Sequence, residues 1–380
     1  MKKSFLIMLA VMMISVLALS ACQPQVIVET VEVEKEVIVE KEVEVVVEKE
    51  VEVIVEKEVE VEVPAEIGEL RTVRLTHGGS LCNLPLFVSF EHPEWWAREG
   101  LSPESVPSPS ITEQVAALAG GLVDFTGAPY TSQLALIAQS AGTVKIVTGV
   151  GGGGLGLVTH KGMNTPETLL GTKWGLSPSD TLEVQAYVWL KDRGYSYDDI
   201  EIIYEAAGVD ILGAWTSGNL SVVNCVQPYC DDMVAEFDGE ILVEGVDLFG
   251  EGYSDCVITA STELMENEPE VVTGLIKVLM LAQKEIEQNQ AEALASAYQK
   301  WFRVSDISVA ERAMEKVFPQ IDQRSQEEFI MNGVGFMLEM GYIPADLESE
   351  VDSTEDVFDW SFLLEVIDEN PELYEELAHK

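Results

Sequence analysis

Polar and aromatic side chains cluster in five short segments, and each segment follows a run of strand-forming residues. These segments, residues 77–83, 110–114, 126–130, 177–181 and 225–229, supply hydroxyls, amides and tyrosines. In open α/β sheets, ligands bind beyond the carboxyl ends of the strands, where loops and helix N-termini meet. We therefore predict a small-molecule site formed by the following candidate residues: Asn83, Thr126, Gly127, Tyr130, Ser177, Ser179, Asp180, Thr181, Gln227 and Tyr229.

The composition of these segments narrows the chemical class of the ligand. None of them contains Arg or Lys, whereas a receptor for anions usually adds a guanidinium group. Helix N-termini alone could still hold a sulfonate or nitrate. We expect a neutral or weakly cationic ligand with hydrogen-bonding groups and a flat ring, such as a pyrimidine or a flavin-like compound. The alternative role of Ser177, Ser179 and Asp180 is that of helix caps.

A glycine-rich run at residues 149–154 matches the letters of a dinucleotide-binding fingerprint at Gly149, Gly151 and Gly154. That motif needs a helix directly after it, because the phosphate is held at the helix N-terminus. A strand-like segment follows at 155–159 instead, so we exclude a nucleotide and predict a glycine hinge between two lobes. No Ser/His/Asp order and no metal-ligand spacing stands out elsewhere, and we expect no catalysis, no cofactor and no metal.

The elements that must position these residues alternate between strand and helix, which is typical of an α/β protein. In the first unit, the predicted elements occupy residues 72–77, 86–99, 104–107, 111–120, 123–127 and 144–148. In the second unit they occupy residues 182–193, 200–204, 209–217 and 221–225, followed by a return at 253–260 and a helical part from 269 onward. We therefore predict two lobes, with the first at 67–155, the second at 156–252, and the return with the C-terminal helices at 253–380.

The first 22 residues have the layout of an export signal. Lys2 and Lys3 precede an apolar run over residues 5–19, which is shorter than the roughly 20 residues that span a bilayer. The run ends in Leu-Ser-Ala-Cys, which resembles the lipobox of bacterial lipoproteins and implies cleavage before Cys22 and lipid attachment to its sulfur. We therefore predict an extracytoplasmic protein anchored to the cell membrane by lipid. The alternative is an ordinary secretory signal.

Residues 23–66 have very low complexity. From residue 31 to residue 63, Val or Lys occupies every odd position and Glu nearly every even one. This alternation argues against a coiled coil, and a whole face of Glu disfavours a packed sheet. We predict a stalk, with self-association through the Val positions as the alternative. The net charge of −45 excludes nucleic acid as a partner.

Four cysteines follow the stalk: Cys82, Cys225, Cys230 and Cys256. Their spacings match no zinc pattern, and an even number of cysteines outside the cytoplasm is compatible with disulfides. Cys225 ends a predicted strand at the cleft, and Cys256 lies where the chain returns to the first lobe. We predict a disulfide between Cys225 and Cys256.

Several short motifs occur in an order that resembles a known family. They are Asn-Leu-Pro-Leu-Phe-Val at 83–88, Gly-Leu-Val-Asp-Phe-Thr-Gly at 121–127, Leu-Gly-Thr-Lys-Trp-Gly at 170–175 and Gln-Pro-Tyr at 227–229. This order is similar to that of the solute-binding proteins of ABC importers that serve nitrate, sulfonates, taurine and thiamine-pyrimidine precursors. The resemblance implies a type II periplasmic-binding-protein fold, with two crossings between lobes and a helical C-terminal part. It also implies a receptor that delivers its ligand to a permease and an ATPase, and not an enzyme.

Three other functions stay open at this point. One branch of the same family makes the thiamine pyrimidine with a cofactor-holding lysine and a cysteine-rich patch. The export signal and the scattered cysteines argue against such an enzyme. A sensor subunit that reports to a membrane kinase has the same sequence features as a transport receptor. A surface spacer or adhesin would account for the stalk alone.

Overall fold

The structure is a computed structural model that describes residues 69–108, 110–204, 209–304 and 306–378, without the side chains of 209 and 210. The predicted export signal, Cys22 and the stalk lie outside the described residues. None of the helices in the described ranges is long and apolar enough to cross a membrane.

Two sheets organise the described chain. The first contains β1 (Arg71–His77), β2 (Leu101–Ser105), β3 (Phe125–Pro129), β4 (Val144–Gly153), β10 (Ser254–Ser261) and β11 (Val317–Pro319). The second contains β5 (Leu155–His160), β6 (Lys173–Leu176), β7 (Glu201–Tyr204), β8 (Val222–Val226) and β9 (Gly239–Glu244). The strand orders are β11-β4-β10-β3-β1-β2 and β7-β6-β8-β5-β9.

The helices cover the two sheets and fill the C-terminal part. Those before β10 are α1 (Leu84–Glu91), α2 (Pro93–Arg98), α3 (Ile111–Ala119), α4 (Tyr130–Gln139), α5 (Pro166–Leu169), α6 (Thr181–Asp192), α7 (Val209–Thr216), α8 (Tyr229–Glu236) and α9 (Gly245–Phe249). Those after β10 are α10 (Thr262–Asn267), α11 (Pro269–Gln288), α12 (Gln290–Trp301), α13 (Ile307–Ala313), α14 (Glu327–Glu339), α15 (Thr354–Val357), α16 (Ser361–Glu369) and α17 (Pro371–Glu375). Short 3-10 helices occur at Leu81–Asn83, Tyr197–Asp199, Arg324–Gln326 and Ala345–Glu350.

The chain passes between the two sheets twice. It leaves the first sheet at the end of β4 and enters the second with β5, and it returns after β9 and α9 to form β10. Strand β10 runs antiparallel to β3 and β4, whereas β1 is parallel to β2 and β3. The predicted fold class, two α/β lobes with two crossings and a helical C-terminal part, is confirmed. The C-terminal part also contributes β11 to the edge of the first sheet, which the helical pattern did not indicate.

Each lobe has its own apolar core. In the first lobe, Val272, Leu275 and Leu279 recur at helical spacing along α11 and are fully buried in a cluster that also contains Trp96. In the second lobe, Trp174 and Trp189 pack with their ring centroids 5.7 Å apart. Burying an apolar side chain of this size contributes about 2–3 kcal/mol. The two cores hold each lobe together independently of any ligand.

The glycine run that was predicted to be a hinge is largely a packed strand. A Cβ on Gly149 would lie 2.4 Å from the carbonyl oxygen of Gln320, and one on Gly151 would lie 2.5 Å from that of Cys82. Only Gly153 and Gly154 have positive φ, +79° at each. The glycines of β4 therefore allow close packing on both faces. Whether the crossing also acts as a hinge stays a prediction.

Gly152→Ala should lower the free energy of unfolding by about 3 kcal/mol, measured by urea denaturation. The added Cβ would lie 2.3 Å from the carbonyl oxygen of Tyr253 and 2.8 Å from Cζ of Phe318. Strands β10 and β11 both pair with β4 here, so neither can move away without losing hydrogen bonds to β4. Gly335→Ala in α14 is the matched control, because nothing lies within 4 Å of its Cβ. The control should be neutral or stabilising by up to about 1 kcal/mol. Equal effects of the two substitutions would contradict the packing argument.

The predicted disulfide between Cys225 and Cys256 is wrong. Cys225 is bonded to Cys230, with their Cα atoms 5.4 Å apart, and Cys82 and Cys256 are free and buried. The reason is topological, since Cys225 lies on β8 of the second sheet and Cys256 on β10 of the first. Cys230, in the first turn of α8, folds back beside the end of β8 and is the nearer partner.

Candidate functional site

A cavity of about 540 Å³ lies between the two lobes. Its volume is in the range of sites that bind small molecules. The first lobe lines it with His77, Ser80, Asn83, Gln114, Asp255 and Cys256, among others. The second lobe contributes Leu155, Asp180, Leu182, Val226 and Tyr229, and the C-terminal part contributes Trp301 and Arg303. The cavity is therefore lined by both lobes.

Four helices begin at the wall of this cavity. Helices α3 and α6 are capped by their own preceding side chains, since Ser110 accepts from the Glu113 N–H at 3.3 Å and Asp180 from the Leu182 N–H at 3.1 Å. Helices α4 and α8 follow Pro129 and Pro228, which offer no side-chain cap. The first N–H groups of α4 and α8 are therefore left to other acceptors at the edge of the cavity.

Three of the predicted site residues line the cavity. Asn83 donates from Nδ2 to the carbonyl of Gly78 at 3.2 Å. Asp180 is almost fully buried, and burial raises the pKa of its carboxyl well above the usual value, reinforced by the charge of Asp255. Tyr229 is the first residue of α8. Burial raises the pKa of its hydroxyl, and a hydrogen bond that the hydroxyl oxygen accepts from the backbone N–H of Arg303 opposes this shift. Of the site residues predicted from the sequence, these three therefore line the cavity.

The other predicted residues lie behind the wall and are not among the residues that line the cavity: Thr126, Gly127, Tyr130, Ser177, Ser179, Thr181 and Gln227. Thr126 is paired through its hydroxyl with Thr76 at 2.6 Å. Tyr130 is buried and packs on Phe329 with ring centroids 5.4 Å apart. These side chains build the loops that carry Asn83, Asp180 and Tyr229, and direct contact with a ligand stays a prediction for them.

The loop before Asp180 is fixed from two directions. Ser179 has a positive φ of 61°, its N–H donates to Glu183 at 2.8 Å, and its carbonyl accepts from the hydroxyl of Thr131 at 3.0 Å. Thr131 belongs to α4 of the first lobe, so this bond crosses between lobes. The positions of Ser179 and Asp180 therefore depend on contact between the two lobes.

Several lining residues lie outside the predicted segments, and four of them carry acidic, thiol, aromatic or cationic side chains. Asp255 and Cys256 come from β10, which was assigned only as a return crossing, and Trp301 and Arg303 come from the C-terminal part. Arg303 corrects the expectation that the site lacks a cationic side chain. It lies more than seventy residues beyond the last predicted segment, and no local pattern marks it.

Three residues that line the cavity carry buried acceptor atoms without a hydrogen-bond partner among the described residues. These atoms are Asn83 Oδ1, Gln114 Oε1 and Asp255 Oδ1. Burial also raises the pKa of the Asp255 carboxyl, although contacts with Cys82 and Thr181 oppose the shift. Buried acceptors without partners cost about 1–3 kcal/mol each. Residues of the wall therefore hold hydrogen-bond acceptors that no described protein group satisfies.

His77 lies in an aromatic part of the wall, with ring centroids 5.0 Å from Phe87 and 5.3 Å from Trp301. Its Nε2 is 2.9 Å from the hydroxyl of Ser105. Burial lowers the pKa of the imidazole to about 4, because the aromatic surroundings do not solvate the charged form.

This depressed pKa predicts a loss of stability in mild acid. The unfolded chain protonates His77 near its ordinary pKa of about 6.5, whereas the folded chain does so only near 4. Stability is therefore complete above about pH 6.5 and falls as the pH drops towards 4. Between pH 7 and pH 5, the wild type should lose about 1–2 kcal/mol more than His77→Gln in urea denaturation. Parallel pH profiles for the two proteins would show that His77 is not held neutral.

Contacts join the lobes on both sides of the cavity. On one side, Tyr342 donates to the Glu183 carboxylate of α6 at 2.6 Å, and Lys191 of α6 pairs with Glu339 of α14. On the other side, Lys316 pairs with Asp231 of α8 and Glu244 of β9, at 2.8 Å each. These contacts connect the second lobe to the C-terminal part that packs with the first lobe.

No model of a protein family matches the sequence, and no curated protein does. Three solved structures illustrate what the fold is similar to. A protein from Bordetella bronchiseptica RB50 superimposes with a TM-score of 0.68 and 18% identity, covering 80% of this chain and 99% of that one. The periplasmic nitrate-binding protein NrtA from Synechocystis PCC 6803 gives 0.67 and 14%, covering 82% and 92%. The alkanesulfonate-binding protein SsuA from Xanthomonas axonopodis pv. citri, bound to MOPS, gives 0.62 and 16%, covering 73% and 96%.

The chain therefore has the two-lobed fold of the periplasmic binding proteins. The fold that the resemblance implied is confirmed, and SsuA and NrtA are among the solved structures that share it.

Proposed function

We propose that this chain is the extracytoplasmic solute-binding component of an ABC-type importer and not an enzyme. The observation that carries the proposal is a cavity of about 540 Å³ whose walls come from both lobes of a binding-protein fold. A ligand that touches both walls favours the closed arrangement over the open one, and the closed receptor then delivers it to a permease and an ATPase. Proteins of similar fold bind nitrate and alkanesulfonates, which supports the receptor role.

The ligand is a neutral or cationic molecule that donates hydrogen bonds. The unpaired oxygens of Asn83, Gln114 and Asp255, together with the Asp180 carboxyl, are complementary to N–H and O–H groups. Nitrate and sulfonate groups only accept hydrogen bonds, so they would leave these oxygens unsatisfied. Amines, amidines and amino-substituted heteroaromatic rings fit this wall best, and Trp301 and Tyr229 offer surfaces for a ring.

An anion receptor is the second candidate, and Arg303 is the observation that favours it. The guanidinium lies at the exposed edge of the cavity, and the uncapped N-termini of α4 and α8 add N–H donors nearby. An anion held there would avoid the buried carboxyls of Asp180 and Asp255.

Attachment at the membrane belongs to the same proposal. Cleavage before Cys22, lipid on its sulfur and a stalk over residues 23–66 would hold the lobes near the permease. The extracytoplasmic location follows from the export signal and suits the fold.

A thermal-shift screen of the full chain tests the function. The panel contains aminopyrimidines, flavins, polyamines and guanidines, with alkanesulfonates and nitrate as the anionic set. A ligand at 100 times its Kd should stabilise the folded state by about 2.7 kcal/mol, which raises Tm by several degrees. Gln114→Ala should weaken the response, and Leu122→Ala, an exposed apolar position outside the cavity, should not. If no solute in the panel binds and the protein converts one of the compounds into a product, the chain is an enzyme and the proposal is wrong.

A further inference from the structure

Two cysteines and an aspartate from distant parts of the chain meet at the floor of the cavity. The sulfurs of Cys82 and Cys256 and a carboxylate oxygen of Asp255 all lie within 4.8 Å of one another. All three side chains are at most 2% exposed. Cys82 sits in the 3-10 turn after β1, and Asp255 and Cys256 are consecutive residues of β10. The first sheet brings them together, because Gly151 of β4 lets the Cys82 backbone approach closely.

These donors are those of a thiophilic metal site. Zinc in proteins is bound by Cys sulfur and Asp oxygen in a tetrahedral arrangement, and two sulfurs with one oxygen occupy three of its positions. The carboxylate is only partly used in the structure, since Asp255 Oδ2 accepts from Cys256 Sγ at 3.5 Å. Asp255 Oδ1 is buried and has no hydrogen-bond partner among the described residues. A fully buried carboxylate oxygen without a hydrogen-bond partner is therefore available as a ligand beside the two free thiols.

The cluster is open on one side. Asp255 and Cys256 line the cavity directly, and Asp180 lines it from the second lobe. A metal held by the three residues would therefore have its fourth position towards the cavity, as in sites that keep an exchangeable ligand.

We propose that Cys82, Asp255 and Cys256 hold a divalent cation of the zinc type, with the fourth coordination position directed into the cavity between the lobes. The inference goes beyond the receptor function. With the metal bound, Asp255 is its ligand, and the acceptors left for a solute are Asn83, Gln114 and Asp180. When the receptor binds a solute with a nitrogen or sulfur donor, that donor can complete the coordination.

Titration of the full chain with Co²⁺ tests the site, after thiol assay in denaturant has established that Cys82 and Cys256 are reduced. One equivalent should produce a near-ultraviolet thiolate-to-cobalt charge-transfer band, and Zn²⁺ should displace it. Cys82→Ser and Cys256→Ser should abolish the band, and Asp255→Asn should weaken Co²⁺ binding at least about 10-fold. The double variant Cys225→Ser/Cys230→Ser, which removes the disulfide, should keep the band, and so should Cys22→Ser. So should Asp232→Asn, which alters a buried carboxyl of α8 outside the cavity lining.

X-ray absorption spectroscopy at the zinc edge, on the zinc-loaded wild type, identifies the metal ligands without the use of a variant. Two sulfur ligands at about 2.3 Å, with oxygen or nitrogen ligands completing the shell, would agree with the assignment. Absence of the charge-transfer band in reduced protein at excess Co²⁺ would overturn it. A disulfide between Cys82 and Cys256 in protein purified without reductant would overturn it too, because both sulfurs would be consumed. Failure of the solute screen alone would leave this site untouched and would count only against the receptor function.

Discussion

Asp180→Asn should weaken binding of the solute about 100-fold, whereas Arg303→Met should leave the affinity unchanged or raise it. A cationic solute favours the ionised form of Asp180, which burial disfavours in the free protein, and asparagine cannot supply that charge. The expected loss equals about 2.7 kcal/mol, as for a charge-assisted hydrogen bond. Asparagine can still cap α6, so the substitution removes the carboxylate and keeps the helix start. Removing Arg303 relieves repulsion of a cationic ligand at the edge of the cavity. Isothermal titration of both variants with the ligand found in the screen measures the two effects.

The same pair of variants separates the two ligand classes. An anionic ligand would reverse the pattern, with Arg303→Met weakening binding and Asp180→Asn leaving it equal or tighter. Asp232→Asn controls for loss of a buried acid in the second lobe away from the cavity, and it should not change the affinity. The salt dependence of the affinity should also differ between the wild type and Arg303→Met. Equal salt dependence in the two proteins would show that the guanidinium does not interact with the ligand.

The fold could be predicted because its signals are local. Alternation of strand-forming runs with helical periodicity indicated an α/β protein. The glycine-rich run at 149–154 and the return segment at 253–260 indicated where the chain crosses between the lobes. The end of β4 shows where local reasoning fails. The glycines at 149 and 151 suggested a flexible segment. Glycine is needed there because the backbone carbonyls of Gln320 and Cys82 pack against these positions and leave no room for a Cβ atom. Both carbonyls come from distant parts of the chain.

The site could be predicted only where it follows the rule that ligands bind after strand ends. Asn83, Asp180 and Tyr229 obey that rule and line the cavity. Asp255 lies within an antiparallel strand, and Arg303 follows a helix of the C-terminal part, so neither occupies a position that the rule covers. The cysteine pairing failed for a related reason. Sequence spacing does not reveal that β8 and β10 belong to different sheets, or that Cys82 and Cys256 become neighbours across 173 intervening residues.

The contacts that join the lobes link the free energy of unfolding to the affinity for the solute. Glu183 of α6 holds the loop of the binding site through the Ser179 N–H and reaches the C-terminal part through the hydroxyl of Tyr342. Two further tyrosines, Tyr204 and Tyr197, donate to its other oxygen at 2.9 Å and 3.4 Å. One buried carboxylate therefore orders the site and holds the lobes together.

Glu183→Ala should lower the free energy of unfolding by about 3 kcal/mol and weaken solute binding about 10-fold. The substitution leaves the Ser179 N–H and the Tyr342 hydroxyl without their acceptor, and a buried donor that loses its partner costs about 1–3 kcal/mol. Affinity falls because the closed arrangement loses a bond between lobes, and the effect should appear mainly in the dissociation rate. Urea denaturation and stopped-flow binding measure the two quantities separately.

Two control variants distinguish a general loss of stability from a loss of closure. Tyr342→Phe removes only the bond between lobes, so affinity should fall while the free energy of unfolding changes by about 1 kcal/mol or less. Glu339→Gln breaks the exposed ion pair with Lys191 across the same interface, and it should change either quantity by no more than about 0.5 kcal/mol. If Tyr342→Phe and Glu339→Gln behave alike, the Glu183 network does not control closure. A Glu183→Ala protein with normal dissociation kinetics would lead to the same conclusion, because the carboxylate would then stabilise the second lobe without coupling it to the ligand.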